Sequence, residues 1–134
     1  MSKGYGRIIS IQGQIAEVEF SHGEASIHDI LISEDDSHVK LQVSVSSDRS
    51  SFFCLSLSPT SNLYRGMKVV NTRKTIMVPV GDKILGRVID VFGRPLDGKG
   101  EIKADQTLPI YRKALSFDDC LQRKEILELS LIHI

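Results

Sequence analysis

The chain is 134 residues long, 41% apolar and 25% charged, with 17 basic residues against 17 acidic ones. That neutrality argues against nucleic acid or anionic lipid as the main partner, since both select a basic excess. The composition supports a packed core rather than disorder, and no apolar run approaches the roughly 20 residues of a membrane span. The length suits one domain, or a small domain plus a fragment of another.

The opening MSKGYGRII has no signal-peptide core and enters a strand pattern almost at once. Tyr5 to Gln12 and Gln14 to Phe20 read as two strands about a turn at Gly13. Ile9 and Ile11 are expected to face one side, and Ala16, Val18 and Phe20 alternate with Glu17 and Glu19. Ser21 to Glu24 is a turn cluster, and Ile27 to Ile32 a short apolar run closed by Glu34, Asp35 and Asp36. Val39, Leu41, Val43 and Val45 alternate with Lys40, Gln42 and Ser44, the cleanest strand pattern in the chain. Ser46 to Ser51 reads as a hairpin tip, and Phe52 to Leu57 as the returning strand. After a loop from Pro59 to Gly66, Lys68 to Val70 and Thr75 to Val80 are two further short strands. Short strands with turn signals between them predict a closed or nearly closed antiparallel barrel. A barrel this small has a low buried fraction and is expected to lean on neighbours.

The periodicity changes at Val78 to Gly100. Leu85, Val88, Ile89 and Phe92 fall at helical spacing. Asp82 is placed to cap a first turn, Gly93 to take a left-handed position after the last, and Pro95 to stop it. This predicts a short helix. A strand over Arg87 to Phe92 is the alternative, because Val88, Ile89 and Val91 are β-branched. Arg94 to Gly100 reads as a tight loop, Pro109 to Arg112 as extended, and Ser116 to Asp119 as a short capped turn. Lys124 to Leu129 fits strand or helix.

No group of residues carries the pattern of a catalytic or metal site. His22, His28, His38 and His133 have no metal-ligand spacing. Asp35 and Asp36, like Asp118 and Asp119, are sequence neighbours, which point apart and make no carboxylate dyad. Gly98-Lys99-Gly100 lacks the strand and helix that a phosphate cradle needs. Arg65, Lys68, Arg73 and Lys74 form a local basic cluster that, in a neutral chain, reads as solvated loop or subunit contact. Cys54 and Cys120 share no CxxC spacing and are expected to be reduced thiols in a cytosolic compartment.

VPVG (Val78 to Gly81), LGRVIDVFG (Leu85 to Gly93) and PLDGKG (Pro95 to Gly100), in that order, resemble the boundary between the N-terminal β-barrel and the nucleotide-binding domain of rotary ATPase catalytic-ring subunits. Within that group the chain is similar to the beta-subunit family of F-type ATP synthases. The resemblance runs from about Gly4 to Leu129, and is concentrated after Tyr64. Arg65-Gly66-Met67, Pro109-Ile110-Tyr111-Arg112 and Glu125-Ile126-Leu127-Glu128 favour beta over alpha. Alpha-type and type III secretion ATPase subunits remain as alternatives. The chain departs from the family pattern at Gln14 and Thr75, where Pro is usual, and at Arg73, where Gly is expected. The last two put the family's turn geometry there in question.

The resemblance implies a mainly β fold: a six-stranded antiparallel β-barrel over residues 1–81, then a short helix and an extended α/β start of the nucleotide-binding domain over residues 82–134. It implies an assembly role beside alpha-type subunits, in an enzyme that couples proton movement to ATP synthesis or hydrolysis. It also implies a peripheral position on the cytoplasmic side of an energy-transducing membrane, touching that membrane only through the complex. ATP, ADP and Mg²⁺ belong to the full-length family. The sequence holds no G-x-x-x-x-G-K-[ST] loop, so no catalytic, cofactor-binding or metal residue is expected within it. After Glu128 the family's approach to that loop is not followed, and the sequence reads as truncated before the chemistry. A free-standing small-barrel binding module for oligonucleotide or peptide is the reading from a different class.

Overall fold

A computed structural model describes residues 4–22 and 25–119. Six strands close into an antiparallel barrel: β1 (Tyr5–Gln12), β2 (Ile15–His22), β3 (Ile30–Ser33), β4 (Lys40–Ser46), β5 (Ser51–Ser56) and β6 (Lys68–Asn71). Their order around the barrel is β1-β2-β5-β4-β3-β6, and β6 closes it by pairing with β1 at Tyr5, Gly6 and Arg7. The mainly β fold expected from the sequence is therefore present, with the strands wrapped fully before Gly81. The Lys124 to Leu129 segment lies outside the described residues.

The core follows from alternation. Ala16, Val18 and Phe20 point inward from β2, as their spacing predicts. They meet Ile8, Leu31, Leu41, Val43, Cys54 and Val69, all fully buried. Phe20 and Phe52 pack edge to face, with ring centroids 5.7 Å apart. Gly6 is needed where β1 crosses β2, because a Cβ there would lie 2.8 Å from Val18 Cγ1.

Two bulges alter the inferred facings. The register of β1 slips between Ile8 and Ser10. An extra residue lets positions three apart share a face. Ile8 is thus the fully buried residue, Ile11 packs against the core, and Ile9 is not its inward partner. The register of β4 slips between Val43 and Val45, and Val45 turns from the core side to the outside. The alternation of Val39 to Val45 holds only as far as Val43.

The seventh strand, β7 (Met77–Val80), does not join the barrel. It pairs with β8 (Gln106–Pro109) in a separate two-stranded sheet. Ile110 extends that ladder, its amide donating to Ile76 O at 3.1 Å.

The short helix over Leu85 to Phe92 does not form. The helical element is a single 3₁₀ turn, Asp82–Ile84, capped by Gly81 with no side-chain cap bond from Asp82. Gly86 then takes φ 68°, and Ile89 bridges antiparallel to Pro95. Leu85 and Val88 are exposed, so the apolar stripe has no surface to bury against. A short helix without such a surface is unstable in water. Asp90 instead organises a tight turn: its carboxylate accepts from the amides of Phe92 and Arg94, each at 2.8 Å. Gly93 is left-handed as expected, at φ 79°, but within this turn, and an added Cβ would lie 2.6 Å from Pro79 Cδ. The alternative strand over Arg87 to Phe92 does not form either, beyond that single bridge at Ile89.

Candidate interaction surface

The outer face of a small soluble barrel is ordinarily polar. Here β5 is apolar on both faces. Phe52 and Cys54 point in, while Phe53 (40% exposed) and Leu55 (39% exposed) point out. Paired residues on neighbouring strands share a face. Phe53 stands opposite Val45 on β4 and opposite Glu17 on β2. Leu55 stands opposite Ile15 on β2 and Gln42 on β4. Ile15, Val45, Phe53 and Leu55 thus form one contiguous exposed apolar patch. It lines a groove of about 510 Å³ with Gln12, Ser44 and Cys54. Glu17 borders the adjoining hollow, its carboxylate accepting from Ser47 Oγ at 3.0 Å. The bulge in β4 completes the patch, because it turns Val45 outward beside Phe53. The sequence reading gave Phe52 to Leu57 as a strand but missed the outward facing of Phe53. The signal was there: four successive apolar residues, Phe52 to Leu55, leave no polar face.

The neighbouring flank of the barrel is covered. Gln42 faces outward between inward-facing Leu41 and Val43, yet is only 8% exposed. Its amide donates to Tyr111 Oη at 2.7 Å. The Tyr111 ring stacks on His28, with centroids 3.6 Å apart and planes 11° from parallel. Lys40 Nζ lies 3.8 Å from the centre of the Phe92 ring. Desolvation, then the charge of Arg94, lowers the Lys40 pKa against a smaller opposite pull from Asp90.

Between these contacts the loop after β7 is held by Asp97. Its carboxylate accepts from Arg87 Nε at 2.6 Å and Arg87 Nη2 at 3.1 Å. The amides of Val88 and Lys99 donate to it as well, at 3.2 Å and 3.1 Å. The guanidinium bond first, and the two amides after it, hold the carboxyl well below the usual carboxylate range against an opposing desolvation cost. Arg87 Nη2 also reaches Gly100 O at 2.6 Å. Gly98-Lys99-Gly100 bends tightly, with both glycines left-handed and the Lys99 amide held by this carboxylate. Lys83 pairs with Asp105.

The other residues singled out in the sequence are scattered. Asp35 accepts from Tyr64 Oη at 2.8 Å, which raises the Tyr64 pKa, and Asp36 caps the His38 amide at 2.8 Å. Burial pushes the Cys54 thiol up to about 12, so it stays protonated at neutral pH. His133 and Cys120 lie outside the described residues. Among the described residues no three His, Cys, Asp or Glu side chains group to hold a metal. No helix among them is long and apolar enough to cross a membrane. No family model matches this chain.

Proposed function

We propose that the chain is the barrel and assembly region of a beta-type subunit in a rotary, proton-translocating ATP synthase. The exposed apolar patch of Ile15, Val45, Phe53 and Leu55 carries this reading, because it gives a small barrel a surface suited to a neighbouring subunit. The resemblance through VPVG, LGRVIDVFG and PLDGKG supplies the partner class, an alpha-type subunit. ATP and Mg²⁺ chemistry belongs to the rest of such a subunit, since no phosphate loop lies in these 134 residues. The alternative of a nucleic-acid-binding barrel calls for aromatics on a basic face. Phe53 faces Glu17 instead.

Sedimentation velocity of the chain mixed with an alpha-type subunit tests the proposal. A complex is expected, weakened roughly tenfold or more by the pair Phe53→Ser and Leu55→Ser, as for the central anchors of an interface. Calorimetry with Mg-ATP is expected to give no binding to the chain alone. Monomeric behaviour beside the alpha partner, or micromolar ATP affinity, overturns the reading.

A further inference from the structure

The outward row Ile15, Leu55, Gln42 and Ile30 crosses four strands of the barrel in register. Its first two members are exposed and its last two are buried. Ile30 and Ile76 are both buried but stand outside the barrel's core cluster. The Ile30 amide donates to Lys74 O at 2.9 Å, and Ile76 O accepts from the Ile110 amide at 3.1 Å. Tyr111 closes over the same flank. The protein keeps His28 at φ 76°, a backbone conformation that costs a residue bearing a Cβ, directly beneath the Tyr111 ring.

We infer that residues 105–112 act as a strap fastened to the barrel by Tyr111, and that this strap opens as a unit while the barrel stays closed. Its fastening to the barrel is small and specific, one ring stack and one amide-to-hydroxyl bond, and otherwise it is held only by its ladder to β7 and the Lys83–Asp105 pair. Each is worth little alone, so the strap sits at the low-stability end of the molecule. The barrel is different, because its six strands close on one another without β7 or β8. The strap sheet has only two strands, which is marginal in water without a packed face. Tyr111 thus decides whether the strap moves with the barrel or independently of it. This inference stands whether or not the barrel binds an alpha-type subunit.

Native-state hydrogen exchange as a function of low denaturant tests it on the whole chain. The Leu108 and Ile110 amides are expected to exchange through a small opening that barely depends on denaturant. The Val43 and Cys54 amides should exchange only through global unfolding. Tyr111→Ala is expected to speed exchange of the strap amides roughly tenfold, following the population of the open form. Tyr111→Phe, which keeps the stack and loses the hydroxyl, should fall between. One shared protection and one shared denaturant slope for strap and barrel overturns the inference. So does unchanged strap exchange in Tyr111→Ala.

Discussion

At the scale of single residues, the turn after β6 is the most informative. Arg73 has φ 53°, a left-handed conformation that disfavours any side chain. The family this chain resembles places Gly there. Neighbouring groups hold the backbone in this conformation. Asn71 Oδ1 accepts from the Arg73 amide at 2.8 Å, while Asn71 Nδ2 donates to Asp29 Oδ2 at 2.9 Å. Thr72 Oγ1 donates to Ile30 O at 2.7 Å. These bonds tie β6 to β3. Arg73→Gly removes the left-handed penalty but adds chain entropy to the unfolded state. The net expectation is a gain of about 0.5–1 kcal/mol, read from the urea midpoint at constant slope. A lower midpoint means that the Arg73 side chain contributes more than its backbone costs. At Thr75, where the family has Pro, the buried hydroxyl has no hydrogen-bond partner among the described residues.

At the scale of elements, the junction after β7 shows how local preferences compete. Leu85, Val88, Ile89 and Phe92 have helical spacing, and Val88, Ile89 and Val91 have strand propensity. The carboxylates decided between them, since Asp90 and Asp97 bond backbone amides in turns that a helix excludes. The Asp97 carboxyl is held below its unfolded value, so its contribution is present above about pH 4 and fades as pH falls through the folded value. The Val88 and Lys99 amide resonances should therefore keep their positions in the range where free carboxylates titrate, and move only in stronger acid. Asp97→Asn should shift both amides already at neutral pH. Titration of Asp97 at an ordinary carboxylate value contradicts the Arg87 pairing seen here.

At the scale of the whole molecule, the barrel and the segment after it make different demands on each other. The barrel closes within Tyr5 to Asn71. A chain ending at Ile76 is therefore expected to keep its strands by circular dichroism. It should lose roughly 1–2 kcal/mol in urea unfolding, the scale of one hydrogen bond and one aromatic stack, because Gln42 and His28 lose Tyr111. Loss of all cooperative unfolding in that chain shows instead that the strap is part of the barrel's own fold. The exposed patch and the strap lie side by side, on β2-β5-β4 and β4-β3 respectively. A partner seated on Phe53 and Leu55 therefore lies next to Gln42, where Tyr111 is fastened.

The strands, the inward-facing residues of β2 and the turn at Gly13 were legible in the sequence, because alternation and turn chemistry are local. The left-handed conformation of Gly93 was legible too, but the helix it was expected to end does not form, and its close approach to Pro79 is tertiary. Three features were decided by tertiary structure alone. A bulge reverses every facing after it, so the burial of Ile8 and the exposure of Val45 depended on cross-strand register. β7 could have extended the barrel by its pattern, yet it pairs with β8, some thirty residues further on. Tyr111 meets His28 and Gln42 only after the chain has closed the barrel and returned, and no local pattern records a contact across that distance.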